Sequence, residues 1–509
     1  MPVVSNPVLP GFHPDPSICR VGEDYYLAVS SFEYFPGVPL FHSRDLVNWR
    51  PIGHVLTRRS QLDLDGIACS AGIYAPTLRH HDGRFYLVTT NVGKNGNFFV
   101  TAADPAGPWS EPVALAQRGI DPSLLFDDGK VYLTTSQNQQ SEIDLATGRL
   151  LTEPRQVWPG TGGNDLEAPH LYKINGWYYL LCAEGGTHHG HMVTLARSRS
   201  PWGPFEACPH NPILTHRHLP GHPVQATGHA DLVQAHDGSW WLVCLAIRPH
   251  RARFPSVHRL GRETFLAPVA WTPDGWPVVN GTGTLGLEVE APALPLHPWP
   301  AAPARDDFAS SALSFAWEHL RNPVAGHYSL AERPGWLRLR GGAQTLDDRA
   351  SPACVLRRQT EHACRAATAM EFSPQREGEE AGLTVLMNNT YHYDFFVCLA
   401  STGKREVVLR LRIGDMTIPR GRCELSGSGA VRLIVESDAD ACRFAFAVGD
   451  RAPVPVGTAL GRYLSTEVAG GFTGVMIGLY ATGNGTAASS PADFDWFEYA
   501  AGQALSSGT

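Results

Sequence analysis

HPDPSICRVGEDYYLAVSS, residues 13–31, is the first of five segments of this chain that repeat one frame. In each segment an aromatic anchor lies eleven positions after an Asp or Ala, and no gap is needed to align the five. A repeat this regular indicates five copies of one supersecondary unit. The other four segments are YAPTLRHHDGRFYLVTT (74–90), IDPSLLFDDGKVYLTTS (120–136), EAPHLYKINGWYYLLCAE (167–184) and GHADLVQAHDGSWWLVCL (228–245).

Each segment has the pattern of a β-hairpin. A short strand-like piece leads into a turn rich in Asp, Asn and Gly, and a run dense in aromatic and β-branched residues follows. The anchors Tyr26, Tyr86, Tyr132, Tyr179 and Trp241 are 46 to 62 residues apart, which leaves room for about four strands per unit. No window shows a sustained helical period. The sequence therefore predicts an all-β fold that begins with a five-bladed β-propeller.

Acidic residues recur at the start of these segments. The first strand of every propeller blade lines the central channel, so equivalent positions of different blades converge there. Asp15 and Asp121 occupy identical positions of the frame, whereas Glu167 and His229 lie one position earlier, as does Tyr74. A shift of one residue turns a side chain to the other face of a regular strand. Convergence therefore requires a bulge or a strand end at this point.

The three carboxyl groups have a structural and a chemical interpretation. Asp before Pro commonly begins a turn, and a single DPS is more often that than a catalytic motif. Three acids that face one channel, however, repel one another, and this raises the pKa of at least one of them. Glycoside hydrolysis requires such a group, because one carboxyl protonates the leaving oxygen while another activates water or attacks the sugar.

Sugar binding also requires aromatic faces and hydrogen-bond donors. The segment SSFEYFPG supplies Phe32, Tyr34 and Phe35, and Arg262 in LGRETFL follows the fifth repeat. An arginine there can reach sugar hydroxyls. The alternative for each aromatic residue is an ordinary place in the core.

The chain resembles glycoside hydrolase family 43, in its β-xylosidase and α-L-arabinofuranosidase branch. The resemblance covers roughly residues 5–290, and the remainder also fits the accessory domain of the family. The residues that carry it are HPDPS, SSFEYFPGVPLFHSRDL, GIYAPTLR, GIDPSLLFDDGK, EAPHLYKINGWYYLLCAEGGT, CPHNPILTHR, GHADLV and LGRETFLAPVAW.

This resemblance implies a role for each carboxyl group. Asp15 would be the general base that activates water, Asp121 would tune the pKa of the acid and orient it, and Glu167 would be the general acid. The family inverts the anomeric centre, so we expect the carboxyl groups of Asp15 and Glu167 to lie roughly 6.5–9.5 Å apart. Two departures stand out: Ala168 replaces the Gly of many relatives, and Tyr74 replaces a Trp beside the terminal sugar.

His229 has two interpretations. In relatives the His of the GHADLV-like motif lies beneath the active site and often contacts a calcium ion through water. The resemblance thus implies calcium near His229, held mainly by water because the sequence has no DxDxDG loop. Otherwise His229 is a hydrogen-bonded core residue. The triplet His188, His189 and His191 is assigned to the rim of the substrate pocket, since no HExxH helix or Cys partner accompanies it.

Composition narrows the class of protein. The chain has 509 residues, a formal charge of -8 and no long apolar stretch, so it has no basic patch for nucleic acid and no membrane span. The N-terminal residues lack the pattern of a signal peptide. Ten cysteines without a paired framework indicate buried thiols in a reducing compartment. We therefore expect a cytoplasmic enzyme that acts on imported oligosaccharides.

A linker rich in Pro and Ala, at about residues 290–305, separates two domains. We place the propeller at 1–295 and the second domain at 296–509, where short alternating runs predict a β-sandwich of jelly-roll, concanavalin-like type. This domain is either a carbohydrate-binding module or a cap that closes the pocket, and the resemblance favours the cap. Relatives often form dimers or tetramers, which implies a homo-oligomer.

The main hypothesis is an inverting, exo-acting β-D-xylosidase that releases xylose from the non-reducing end of β-1,4-xylo-oligosaccharides, with α-L-arabinofuranosidase as a side activity. The first alternative is primarily an α-L-arabinofuranosidase acting on arabinose-bearing oligosaccharides. The second, from another class, is a non-catalytic sugar-binding propeller, because propellers are frequent interaction modules. Such a binder has no need of an acid and base pair.

Overall fold

The computed structural model describes residues 3–250, 256–290, 293–427 and 429–502 of the chain. Strands dominate it. Helical structure among these residues is confined to one α-helix, Thr466–Ala469, and two 3-10 turns, Ser136–Asn138 and Gly461–Leu464. In the part of the chain described, no helix combines the length and the hydropathy needed to cross a membrane. The predicted all-β fold is confirmed.

Five antiparallel sheets, one for each repeated segment, form the N-terminal domain. Blade 1 contains Ser17–Val21, Asp24–Ala28, Gly37–Ser43 and Arg50–Leu56; blade 2 contains Gly72–Ile73, Thr77–His81, Arg84–Val92, Gly96–Ala102 and Val113–Ala114. Blade 3 contains Ser123–Asp127, Lys130–Thr135, Gln139–Asp144, Arg149–Leu150 and Arg155–Gln156; blade 4 contains Glu167–Ile174, Trp177–Glu184, Met192–Ser198, Glu206–Ala207 and Leu214–Thr215. Blade 5 contains Gln225–Gln234, Trp240–Ile247, Glu263–Trp271 and Pro277–Val279.

The turns that join the first two strands of three blades follow from their residue types. Asp82-Gly83, Asp128-Gly129 and Asn175-Gly176 all have positive φ at both positions. Two consecutive left-handed residues make the turn whose twist matches a β-hairpin, and Asp-Gly and Asn-Gly adopt it at least cost. These dipeptides fix the register of each hairpin and, with it, the point at which each first strand begins.

The first strands of the five blades form a closed ring, because each contacts the next and Gln225–Gln234 contacts Ser17–Val21. This is the arrangement of a β-propeller. Strand Val3–Ser5 pairs with Glu288–Glu290, so the two ends of the domain meet.

A buried carboxylate ties four of these blades together in the channel. Asp231 of blade 5 accepts hydrogen bonds from Ser17 Oγ at 2.7 Å, Ile18 N at 3.0 Å and Tyr172 Oη at 2.5 Å. Its two oxygens also accept bonds from Arg79, of which the shortest is 2.9 Å. Burial raises the pKa of Asp231, but the charges of Arg79 and His170 and the hydrogen bonds from Arg79 and Tyr172 together lower that pKa below its usual range. Asp231 is therefore an ionised cross-link beneath the site described below.

The second domain is a sandwich of two antiparallel sheets, as the sequence predicts. One sheet contains Arg305–Asp306, Tyr328–Ser329, Leu337–Leu339, Cys364–Glu371, Val431–Ser437, Ala441–Val448, Val454–Leu460 and Ala492–Ala501. The other contains Ala353–Arg358, Glu380–Asn388, Tyr391–Leu399, Arg405–Ile413, Met416–Glu424 and Met476–Thr482. Their facing side chains form one large core that includes Trp317, Phe395, Phe444, Phe494 and Phe497.

The sandwich packs directly on the propeller. Strand His319–Leu320 of the second domain pairs with Tyr34–Phe35, which follows the second strand of blade 1. An apolar cluster spans both domains and contains Phe12, Phe32, Tyr34, Leu320, Leu346, Cys354, Leu356, Leu386, Phe396, Val408, Met476 and Tyr480. Phe32 belongs to this cluster, so residues of the second domain pack against it. The second domain therefore supports one wall of the channel opening.

Candidate active site

The backbone at the start of the blades explains how the acids converge. Asp15, Asp121 and Ala168 share one position of the repeat, and all three are left-handed, with φ of 54°, 55° and 49°. In blades 1 and 3 the left-handed residue carries the carboxyl group itself, whereas in blade 4 the carboxyl group belongs to Glu167, just before it. The pairing register shifts after Glu167 and again on either side of Gly228, beside His229. The predicted bulge or strand end is present.

Seven of the residues that the sequence singled out line one pocket of about 210 Å³ at the channel opening, whereas Tyr34 and Phe35 do not. Pockets for drug-sized ligands measure about 300–1,000 Å³, so this one is small. The seven are Asp15, Phe32, Tyr74, Asp121, Glu167, His229 and Arg262.

Asp15 lies in a positively charged environment. Its Oδ1 accepts a 2.8 Å bond from Arg262 Nη1 and lies 3.6 Å from His229 Nδ1, while Oδ2 accepts a 2.5 Å bond from Ser30 Oγ. Burial raises the pKa of Asp15, but Arg262, His229 and the Ser30 bond together lower it below its ordinary value. Asp15 is therefore a carboxylate at neutral pH.

Glu167 has the opposite environment. Burial, followed by the charges of Asp165 and Asp15, raises the pKa of Glu167 to about 7, with Arg262 acting in the other direction. Asp165 also lines the pocket and is exposed to solvent. Glu167 is thus a carboxyl group that still holds its proton in a large fraction of molecules at neutral pH.

Asp121 is fully enclosed between the other two acids. Its Oδ2 accepts a 3.1 Å bond from the Ala168 backbone N–H, which ties it to the strand that carries Glu167. Burial and the negative charges of Glu167 and Asp15 raise the pKa of Asp121 well above its ordinary value. Repulsion among the three acids is thus relieved by placing the charge on Asp15 and protons on its neighbours.

Arg262 connects the catalytic side of the pocket to the second domain. Besides Asp15, its guanidinium donates to Thr187 Oγ1 at 3.3 Å and to the backbone carbonyl of Phe472 at 3.3 Å. Its Nε has no hydrogen-bond partner among the residues described.

Three aromatic rings form the apolar wall. The ring of Phe32 is 5.1 Å from that of Tyr74 and 6.1 Å from that of Phe472, and Phe472 is 6.2 Å from Tyr74. Phe472 belongs to the second domain and is 40% exposed, whereas Phe32 is buried. The sandwich therefore contributes a side chain to the pocket, as a cap would.

The histidines of the pocket face Asp15. Burial lowers the pKa of His229, and burial together with the charge of His229 lowers that of His191 to about 3, so His191 is neutral. His191 lies against Gly228, where a Cβ would come within 2.2 Å of its ring. The predicted pocket position of the THHGH segment thus applies to His191, which lines the pocket.

The side chains around His229 do not match the ligand set of the calcium ion that the resemblance implies there. Calcium requires six to eight oxygen ligands. The acidic group next to His229 is Asp15, and its oxygens already bond to Arg262 and Ser30. Within the described ranges, no group of three or more His, Cys, Asp or Glu residues has a spacing suited to a metal. The side chains therefore do not fit direct coordination.

The family of the chain follows from comparison with known proteins. Residues 4–277 match the model of glycosyl hydrolases family 43. The chain belongs to this family. Residues 305–500 match the β-xylosidase C-terminal concanavalin A-like domain, which confirms the type of sandwich expected from the sequence.

Similar proteins cover nearly the whole chain. A "non-reducing end alpha-L-arabinofuranosidase" of Bacteroides ovatus is 46% identical over 97% of this chain and 94% of the relative. A "xylosidase/arabinosidase" of Butyrivibrio fibrisolvens is 40% identical over 98% and 99%. The solved structure "Bacteroides ovatus Xyloglucan PUL GH43B" has a TM-score of 0.95 at 45% identity and covers 98% of this chain and 100% of that one. The chain is thus a glycoside hydrolase of a xylosidase and arabinofuranosidase family.

Sequence reasoning did not find every residue of the pocket. Asp165 and Phe472, which line the pocket, were missed, as was Ser30, which donates a hydrogen bond to Asp15. For Asp165 the signal was its position two residues before Glu167, and for Phe472 it was a lone aromatic residue within GGFTG, residues 470–474. Neither signal is specific without the tertiary contacts.

Proposed function

We propose that the protein is an inverting, exo-acting β-D-xylosidase that releases one xylose from the non-reducing end of β-1,4-xylo-oligosaccharides. The observation that carries this proposal is the separation of charge in one small pocket. Asp15 is held ionised by Arg262, while the pKa of Glu167 is raised to about 7. Opposite protonation of two carboxyl groups is what acid and base catalysis by the pair requires.

In the proposed reaction Glu167 donates its proton to the glycosidic oxygen as the bond from that oxygen to the anomeric carbon breaks. Asp15 accepts a proton from a water molecule, whose oxygen forms the new bond to the anomeric carbon from the opposite face. Inversion predicts a separation of roughly 6.5–9.5 Å between the two carboxyl groups. Asp121, bonded to the N–H of Ala168, would hold the backbone beside the acid in place.

Exo action is supported by the size of the pocket and by its aromatic wall. A volume of about 210 Å³ suits one sugar ring rather than a chain. Phe32, Tyr74 and Phe472 form an apolar wall on which the ring of a terminal sugar would stack. The leaving sugar would then project past Glu167 toward Asp165.

A second candidate is an enzyme that acts mainly on α-L-arabinofuranosides. It is favoured by the relative of 46% identity, whose name gives that activity, while the relative of 40% identity is named for both sugars. Tyr74, at the wall of the terminal-sugar pocket, is the residue whose identity we expect to bear on this choice.

The test is a set of initial rates on xylobiose, an aryl β-D-xyloside and an aryl α-L-arabinofuranoside, measured side by side. Asp15→Asn is the matched variant that shows whether turnover comes from this site. Dominant xyloside and xylobiose turnover supports the main proposal, and dominant arabinoside turnover supports the second candidate. Turnover of none of the three by the wild type would instead favour a sugar-binding propeller. NMR of the first product anomer tests inversion.

Three further expectations remain predictions. A calcium ion near His229 would be held through water, since the side chains do not supply a coordination sphere. A cytoplasmic location is supported by the ten cysteines, each of which is a free thiol. A homo-oligomer is implied by the resemblance alone.

A further inference from the structure

The segment that carries Phe472 is held against the propeller by backbone contacts. The Phe472 N–H donates a 2.8 Å bond to Ser70 Oγ, and the Phe472 carbonyl accepts one from Arg262. Gly471, with φ of 87°, allows this approach, because a Cβ there would lie 2.6 Å from Ser70 Oγ. The position of the Phe472 ring thus depends on the position of Ser70, a residue of the other domain.

Ser70 is in turn held by a buried carboxyl group. Its backbone N–H donates a 2.9 Å bond to Glu33 Oε2, and its own φ is 59°, so this bond fixes an otherwise unfavoured conformation. Glu33 is 0% exposed and lies in SSFEYFPG beside the pocket residue Phe32. Its second oxygen, Oε1, is buried and has no hydrogen-bond partner in the part of the chain that the structure covers.

The charge of Glu33 is not neutralised by an ion pair with any described residue. Arg321 is the nearest cation that acts on it, but its guanidinium donates to the carbonyls of Ile67 and Ala350 and to Asn389 Oδ1. A carboxyl group buried in this way is stable when protonated and costly when ionised.

We propose that Glu33 is a positioning residue for the pocket, which orients Ser70 so that Ser70 holds Phe472 of the second domain against the terminal sugar. The proposal rests on the function proposed above and specifies how the sugar subsite is closed. It assigns to the interface between the domains a direct effect on the affinity for sugar rather than on the chemical step.

Burial also determines the protonation state of Glu33. Burial raises the pKa of Glu33 from 4.5 to about 7, although the backbone hydrogen bonds that it accepts and the charge of Arg321 act to lower it. The other titratable groups that face Glu33 are Cys69, Tyr34 and Tyr74, and burial raises the pKa of each above an ordinary value that already exceeds 8. Glu33 is therefore largely protonated below pH 7, and because the bond from the Ser70 N–H lowers the pKa of Glu33, that bond is kept when Glu33 ionises.

The test compares Glu33→Ala, Glu33→Gln, Ser70→Ala and Phe472→Ala with the wild type from pH 5 to 8.5. The measured quantities are KM and kcat on the aryl glycoside that the wild type prefers, and the Ki of D-xylose or L-arabinose. We expect Glu33→Ala and Ser70→Ala to raise KM and Ki by about fivefold to tenfold, the effect of one lost buried hydrogen bond, and to change kcat less than about twofold. Glu33→Gln should restore the low KM, because the amide oxygen accepts the same bond from the Ser70 N–H.

A double variant tests whether Glu33 acts through Phe472. If it does, Glu33→Ala combined with Phe472→Ala has the KM of Phe472→Ala alone. Additive effects, an unchanged KM or a fall in kcat without a change in KM would each overturn the proposal. Glu153→Gln, at an exposed glutamate of the propeller, is the matched control and should behave as wild type.

Hydrogen exchange provides a readout that does not require turnover. The peptide that contains residues 471–473 should exchange faster in Ser70→Ala and Glu33→Ala than in the wild type, and equal exchange contradicts the role of Glu33. A wild type that hydrolyses neither aryl glycoside would refute the proposed function, while this exchange measurement would still decide whether Glu33 positions Phe472.

Discussion

Replacing Glu167 by Gln tests the proposed acid most directly. At pH 7 a carboxyl group with a pKa of about 7 is protonated in about half of the molecules. With the ordinary pKa of 4.5 this fraction would be roughly 0.3%, so the environment of Glu167 increases the competent acid about 160-fold. Gln keeps the shape of the side chain but donates no proton.

The expected effect depends on the leaving group. General acid catalysis contributes about 10²–10⁴-fold, so Glu167→Gln should lower kcat on xylobiose by about that factor. An aryl glycoside whose phenol is a good leaving group needs little protonation, and its rate should fall by less than about tenfold.

The assay measures initial rates on both substrates from pH 5 to 9. On xylobiose the wild-type rate should fall above pH 7, about tenfold per unit, as Glu167 loses its proton. On the aryl glycoside the rate of the variant should not fall above pH 7, so its pH profile should lack this alkaline limb. Equal losses on the two substrates, or an alkaline limb that persists in the variant, would refute the assignment of Glu167 as the acid.

Three further predictions follow from the same geometry. Asp15→Asn should abolish nearly all turnover of every substrate, because it removes the ionised carboxylate that activates water; near wild-type rates on xylobiose would contradict this. Asp165→Asn should move the alkaline limb to lower pH, because it removes the largest charge that raises the pKa of Glu167; a pH profile that does not move counts against it. Asp231→Asn should lower the free energy of unfolding by roughly 3–5 kcal/mol, because it leaves Arg79 without its buried partner. A loss below about 1 kcal/mol, measured by denaturant unfolding, would be inconsistent with the cross-link.

The local sequence was sufficient to predict the propeller and its three acids. Asp-Gly and Asn-Gly turns, aromatic anchors and a constant spacing of eleven positions are properties of short segments, and each hairpin forms from its own residues. The recurrence of Asp15, Asp121 and Glu167 near one position of the repeat then indicated a shared site, because a propeller brings equivalent positions together.

The protonation of that site was decided only by the tertiary structure. Asp15 and Asp121 are each followed by Pro-Ser and have φ of 54° and 55°, yet the pKa of Asp15 is lowered and that of Asp121 is raised. Asp15 forms an ion pair with Arg262, which is 247 residues away in sequence, whereas Asp121 is buried beside the negative charges of Glu167 and Asp15. A charge at such a separation acts through space, and no local pattern records which of two equivalent acids it meets.

The same reason explains why Phe472 was not recognised as part of the pocket and why Glu33 was not recognised as a residue that supports it. Ser70 and Phe472 are 402 residues apart, and only the packing of the sandwich on the propeller joins them. The sequence by itself thus determined the fold of each domain and the set of candidate acids. The contacts between distant segments decided which acid is ionised and what closes the pocket, because burial and charge depend on all the groups nearby in space rather than on neighbours in the chain.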